Sequence, residues 1–392
     1  MKVVFVTDNC VNPTLGGIDR ITYVVAEALH KDYGYSCFSV FAREKNECPE
    51  RDKVFTDIHQ WANKNAFLEF VMKIGECVIV LQSPCTIAKE VLEAKADLQD
   101  VKLVNVFHAT PGFEVISLDW SIIKYRLLHN IDRKATLKQS VIQMVKSLFP
   151  GSVTKILQKK YSRPYGVADK MVVLSKGIIA QYQAIAPCKN MEFEVIPNIL
   201  SFDKIHIPPK KSKEVLIVAR LDDWHKRIFD AIKIWEKVQA DCSCQDWILR
   251  IVGDGIDRSF YEEYVKKHAI PNICFEGKQI SLPYYQSADI FMMTSACEGF
   301  PMTLLEAQQN GCVPVVFDTF ASLKDVVTDG RNGFIVPEGN IEEYVARLTQ
   351  LMKDESLRKE MAENAIKDCQ RFAPEKVVKQ WHKLFTELVK QN

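Results

Sequence analysis

Continuous apolar runs of strand length alternate with stretches of helical periodicity along most of the chain. Lys2–Thr7 (KVVFVT) is such a run, rich in β-branched residues, and residues 36–42, 78–81, 103–107 and 171–174 repeat it. Residues 18–31 (IDRITYVVAEALHK) carry apolar positions at the spacing of an amphipathic helix. Strand and helix in alternation predict a parallel sheet covered on both faces. The pattern breaks after EVIPNILS (194–201), where Pro208 and Pro209 and the basic Lys210, Lys211 and Lys213 have the composition of a linker. It restarts at Val215 (VLIVAR), continues through 248–252 and 273–276, and reaches a strand, loop, helix, strand sequence over 290–317. Residues 341–353, 356–372 and 375–391 then read as helices, the last behind Pro374. Two runs of the pattern predict two domains, 1–205 and 206–373, followed by a C-terminal helix, 374–392.

Length and composition agree with this. A chain of 392 residues exceeds one ordinary core, and 47% hydrophobic with 26% charged residues describes a globular protein rather than a disordered or fibrous one. MKVVFVTDN holds too short an apolar segment for a signal sequence. No run approaches the roughly 20 apolar residues of a spanning helix. The twelve cysteines form no CxxC pair, and Cys37, Cys77, Cys274 and Cys312 fall in or beside apolar runs, as small core residues do. The expectation is a cytoplasmic protein whose membrane contact, if it makes any, is peripheral, at the inner face.

The net charge of +1 conceals a basic stretch. Between Ser117 and Arg163, Lys and Arg far outnumber the two acids, Asp119 and Asp132, and are interleaved with Trp120, Ile122, Tyr125, Val141, Met144 and Leu148. Helices of this composition either lie on anionic lipid or pack by one face on a core with the cations solvated, and composition alone leaves both readings open.

The candidate chemistry centres on residues 294–318 (TSACEGFPMTLLEAQQNGCVPVVFD). A loop punctuated by Gly299 and Pro301 opens a helix with Leu304, Leu305 and Ala307 at helical spacing, and Gly311 sits where a C′ glycine belongs. The start of such a helix, at the carboxyl end of a strand, favours a phosphate. Two carboxylates, Glu298 and Glu306, bracket that position; were the intervening chain all helix they would lie about 12 Å apart along its axis. Beside a diphosphate, carboxylates repel it, so they are better placed to accept hydrogen bonds from sugar hydroxyls at either end. The other reading makes Glu298 a solvated loop residue and Glu306 a surface helix residue.

Other features point the same way. A strand, the pair Gly16 and Gly17, and a helix form a second candidate cradle, or simply a tight turn with glycine at positive φ. Arg220 and Lys226, in ARLDDWHKR, are cations in the loop after a buried strand, where a phosphate would lie; the alternative is a surface ion pair. VGDG places Gly253 and Asp254 after the next strand. His108 follows the strand 103–107 at its carboxyl end, where side chains point into the ligand crevice of this fold, although a buried, satisfied histidine is the commoner case. No DxD occurs, so no carboxylate-held divalent cation is suggested.

EGFPMTLLE resembles the E-x7-E signature of retaining glycosyltransferases of family 4, with the GT-B fold. The resemblance runs from Gly16 to Gly339 and is weakest over 109–163. It implies two Rossmann-like domains facing across a cleft, the first on the acceptor side and the second holding the nucleotide sugar, with the C-terminal helix crossing back to the first. It assigns donor binding to Gly16, Gly17, Gly253, Asp254, Glu298, Gly299, Phe300, Pro301, Met302, Thr303 and Glu306, and catalysis to His108, Arg220, Lys226 and Glu298. The family's usual GRLxxxKG is altered here, with Ala219 and Arg227 in place of the glycines, which leaves open whether Lys226 or Arg227 reaches the phosphate. The implied reaction is metal-independent and needs no cofactor. It moves a hexose from a nucleotide-diphosphate sugar, UDP-sugar favoured, to a glycan or lipid-linked glycan acceptor of a surface polysaccharide; no nucleic-acid partner is expected. Alternatives are a nucleotide-sugar 2-epimerase of the same fold and a non-catalytic nucleotide-sugar-binding subunit.

Overall fold

A computed structural model describes residues 1–13, 16–43, 48–187, 190–202 and 211–390. The linker expected around Pro208 and Pro209, with the boundary at 205/206, lies outside the described residues, as do Thr14 and Leu15 of the loop before Gly16. Thirteen strands are described: β1 (Lys2–Thr7), β2 (Ser36–Phe41), β3 (Phe55–Gln60), β4 (Cys77–Ser83), β5 (Val101–Phe107), β6 (Lys170–Val173), β7 (Phe193–Val195), β8 (Glu214–Val218), β9 (Ile248–Val252), β10 (Ile273–Gly277), β11 (Ile290–Met293), β12 (Val313–Asp318) and β13 (Phe334–Pro337). They form two sheets, β3-β2-β1-β4-β5-β6-β7 and β10-β9-β8-β11-β12-β13, in which every strand pair is parallel. The expected pair of parallel α/β layers is therefore present.

Central strands are buried along their length, as β1, β4 and β11 illustrate, because helices cover both faces of each sheet. That is why these strands read as unbroken apolar runs. The strands that sequence patterning did not single out are β3, β7 and β13, and each lies at a sheet edge. An edge strand is covered less completely, and β3 (FTDIHQ) keeps only Phe55 buried.

The helices used below are α1 (Gly17–Tyr33), α2 (Trp120–Leu128), α3 (Arg133–Leu148), α4 (Pro150–Tyr161), α5 (Ile228–Gln239), α6 (Met302–Gln309) and α7 (Pro374–Lys390). The chain divides into two compact units. The first comprises Met1–Pro111, Thr154–Ile199 and the stretch from Arg371; the second comprises Gly112–Val153 and Leu200–Gln370. In the first unit α7 packs on α1 through a buried stripe that includes Val377, Trp381, Leu384 and Phe385. There the His382 ring stacks on Tyr33 at 4.0 Å and bonds the Tyr35 hydroxyl at 2.8 Å.

The units thus differ from the expected consecutive domains, since residues 112–153 go with the second. Leu118, Ile122 and Ile123 belong to the same apolar core as Val215, Trp235 and Leu249. Arg126, one of the basic residues of this stretch, is buried with them.

Candidate active site

In the second sheet the strand order reverses between β8 and β11, and ligands of open α/β sheets bind outside the carboxyl ends of strands at such a switch point. The loops that leave β8 and β11 carry the ARLDDWHKR and CEGFP motifs. The first is pinned against the loop after β9: Ala219 N–H donates to Val252 O, and Leu221 N–H to Asp254 O. A Cβ on Gly253 (φ +139°) would come within 1.8 Å of Ala219 O, and one on Gly255 within 2.3 Å of Leu221 O. VGDG therefore has a packing reason for its glycines, independent of any ligand. Asp254 itself is exposed, its Oδ1 accepting the Gly255 N–H.

Asp222 caps a short helix (Asp223–Lys226) by accepting the Trp224 N–H. The turn closes through Arg227, which adopts the left-handed conformation (φ 46°, ψ 46°). This explains why a glycine suits the position and why a side chain there is strained. Arg227 is directed to Glu338, 2.7 Å away, whereas Lys226 Nζ donates to Glu298 Oε1 at 2.5 Å. Of the two cations left open by the sequence, Lys226 is the one beside the E-x7-E loop. Thr294 Oγ1 donates to the carbonyls of Lys226 and Arg227, and Ala296 N–H to that of His225, so the two loops are knitted together.

Lys226, Glu298 and Thr303 line one small hollow with Ala219, Thr294 and Ser295. Gly299, Phe300, Pro301 and Met302 are buried at the turn into α6. Pro301 is the N-cap residue, and no side chain caps the helix, so the first N–H groups of α6 have no acceptor within the helix. The helix begins only at Met302, so the all-helix 12 Å separation of the carboxylates does not apply. Glu306 is not a surface residue: it is 2% exposed, and the Tyr285 hydroxyl donates to its Oε2 at 3.0 Å. At the far end Gly311 takes the C′ conformation expected of it (φ +68°). Glu298, with 13% of its side chain exposed, is likewise no freely solvated loop residue.

Arg220 stands mostly in solvent, with its guanidinium 3.2 Å from Asp222 Oδ2. Burial pulls the Asp222 pKa upward, but the hydrogen bond from His225 and the charges of His225, Arg220 and Arg126 outweigh it and bring the value down to about 2. Beneath this surface lies a cluster that the sequence did not signal. Arg126 makes a two-pronged contact to the buried Asp257, Nε to Oδ1 at 2.6 Å and Nη2 to Oδ2 at 2.5 Å. Asp257 Oδ2 also accepts the Asp223 N–H. Asp223 Oδ1 accepts from Phe229 N–H and from the Tyr261 hydroxyl, each at 2.8 Å. Burial, reinforced by Asp230 and Asp257, pushes the Asp223 carboxyl up to about 7.

The remaining predicted residues belong to the first unit. His108 is half-buried with Nε2 2.5 Å from Gln82 Oε1, a pairing that puts the ring proton on Nε2, and burial pushes its pKa down to about 4. It is therefore neutral at physiological pH. Gly16 is the N-cap residue of α1 with φ −63° and ψ 170°, so no positive φ explains it; Gly17 is the first residue of α1, and both are exposed. The first sheet has its own switch point, between β1 and β4, and a cavity of about 370 Å³ opens there. Asp8, Ser83, Asn105, Lys160, Arg163 and Tyr182 are among its lining residues. None of these was singled out from the sequence for such a role; their common property is position at strand ends, which appears only once the sheet order is known.

Residues 199–368 match the family model described as "Glycosyl transferases group 1". That stretch resembles this family. It takes in Arg220, Lys226, Glu298 and Glu306 and most of the second unit. The amylovoran biosynthesis glycosyltransferase AmsD of Erwinia amylovora is 31% identical over 228 residues, 56% of this chain and 62% of that protein. The chain thus spans about six-tenths of the length of that relative. Among solved structures, the lipopolysaccharide outer core galactosyltransferase WaaB in its apo form aligns with a TM-score of 0.69 at 18% identity, over 99% of this chain and 100% of that one. Anabaena HepE in complex with UDP aligns with a TM-score of 0.71 at 15% identity, over 99% and 100%. The fold is therefore that of GT-B glycosyltransferases.

Proposed function

We propose that the protein is a retaining glycosyltransferase that moves a hexose from a nucleotide-diphosphate sugar to a hydroxyl of a glycan or lipid-linked glycan precursor of a surface polysaccharide. The observation that carries the reading is the Lys226–Glu298 pair, lining one hollow with Thr303 at the start of α6. In this reading the diphosphate rests against the N–H groups of Met302 and Thr303 and is gripped by Lys226 and Arg220. Cations and oriented N–H groups there offset the charge that develops on the leaving diphosphate, with no need for a metal ion. Glu298, oriented by Lys226, accepts from hydroxyls of the donor sugar. Glu306 reads the ribose, and the loop of Gly253 and Asp254 borders the base. The cavity at the first sheet's switch point is the candidate for the acceptor.

The reaction breaks the bond between the anomeric carbon and the diphosphate oxygen and forms one to the acceptor oxygen on the same face. The acceptor's proton passes to the departing diphosphate, so no protein nucleophile is required. The presence of UDP in the HepE structure supports a uridine donor, and the names of AmsD and WaaB support a polysaccharide or lipopolysaccharide pathway.

The test is a panel of nucleotide sugars screened first for thermal stabilisation, since a ligand that binds only the folded state raises its melting point. The stabilising donor is then used in labelled-sugar transfer with and without a chelator, and the product's anomeric configuration is read by NMR. Retention, undiminished by chelator, is expected. Free interconversion of UDP-sugars would instead mark an epimerase, and binding without hydrolysis or transfer a non-catalytic subunit.

A further inference from the structure

Helix α3 is amphipathic, but it is turned the wrong way for a helix packed on a protein core. Its inward side is polar. Thr136 and Gln139 are buried, Gln139 Nε2 donates to Ile116 O at 2.6 Å, and Gln143 bonds both the N–H and the carbonyl of Leu118 at 3.0 and 3.3 Å. Its outward side is apolar. Leu137, Val141, Met144 and Leu148, spaced four, three and four apart, form one stripe with exposures of 46, 58, 56 and 64%. Phe149, just past the helix, is 62% exposed, and Trp120 and Leu128 of α2 add 59 and 72%. A helix on a globular core presents the reverse pattern, and an apolar patch of this kind marks an interaction site.

We infer that the outer face of α3 is a docking surface for an anionic lipid bilayer, lying in the plane of the interface. Charge decides the occupant. Arg133, Lys134, Lys138 and Lys146 are exposed on the same helix, and no acidic residue occurs from Arg133 through Arg163. A second copy of the chain would bring two such cationic faces together without a counter-charge. A bilayer offers apolar acyl chains to the stripe and phosphates to the lysines at its rim. The glutamine bonds to the backbone of residues 116 and 118 hold the helix in place before it meets lipid, so its apolar residues are displayed in advance. The proposal extends the lipid-linked acceptor suggested above, although it stands on the helix's own chemistry.

The experiment is sedimentation of the full chain with vesicles of phosphatidylcholine alone or with 30% phosphatidylglycerol, at low and high salt. Binding is expected to the anionic vesicles only and to weaken with salt. It should fall on the order of a hundredfold in Arg133→Gln/Lys134→Gln/Lys138→Gln, at about fivefold per cation lost. Val141→Ser/Met144→Ser/Leu148→Ser should also weaken it, with circular dichroism and melting unchanged in both variants. Absence of wild-type binding, binding unaffected by either triple variant, or a wild-type dimer dispersed by the serine variant would overturn the proposal. Donor hydrolysis in solution, measured on the same variants, reads the transferase proposal separately.

Discussion

Substituting Asp223 by Asn should change how stability depends on pH. The carboxyl is buried, accepts two hydrogen bonds and is pushed up to about 7 from its ordinary 3.8. Between those values the folded state holds a proton that the unfolded state has released, so stability falls as pH rises from about 4 to 7. A shift of about three pH units corresponds to a loss of up to about 4 kcal/mol, complete just above pH 7. Asparagine keeps an oxygen for Phe229 N–H and the Tyr261 hydroxyl and cannot ionise. The variant should therefore match the wild type within about 1 kcal/mol at pH 4 and exceed it by up to about 4 kcal/mol at pH 8. His108, lowered to about 4, acts in an overlapping window with the opposite sign, its contribution being lost as pH falls below about 6.5. It lies in the other unit and cancels in the difference between variant and wild type. Urea unfolding at each pH, followed by tryptophan fluorescence, is the assay, and Trp224, Trp235 and Trp247 report on the second unit. A difference that stays constant from pH 4 to 8 would show that Asp223 does not carry the proton assigned to it.

Removal of Arg126, by Arg126→Met, strands Asp257 in the core and should destabilise the protein by about 3 to 5 kcal/mol in the same assay, with part recovered on adding Asp257→Asn; a cost below about 1 kcal/mol would contradict the buried pairing. Arg227→Gly should be more stable than Arg227→Ala by about 1 kcal/mol, because both lose the contact to Glu338 and only glycine relieves the left-handed backbone; equal urea midpoints would argue against strain there. Lys226→Ala should reduce transfer by well over tenfold, since a charge-assisted bond to a phosphate contributes about 1.5 to 3 kcal/mol. Glu306→Gln, which keeps an acceptor for Tyr285, should do likewise with the melting curve intact. Wild-type transfer rates in both variants would remove the proposed donor site.

What the sequence determined by itself was the interior of both sheets and the outline of one loop. A central parallel strand is covered on both faces, so β1, β4, β11 and β12 carry long apolar runs and announce themselves. The C′ glycine at Gly311 and the Glu298, Glu306 spacing are equally local, set by residues a few positions apart. The edge strands β3, β7 and β13 lack that double covering and lack the signal with it. Tertiary structure alone decided which groups are inside. Arg126 sits in a basic stretch yet is buried against Asp257, and Glu306 looks like a surface helix residue yet faces Tyr285. α3 turns its glutamines inward and its leucines out. Periodicity shows that a helix has two faces, but what lies against each face comes from other elements, 21, 23 and 131 positions away in these three cases, and no local pattern carries that information.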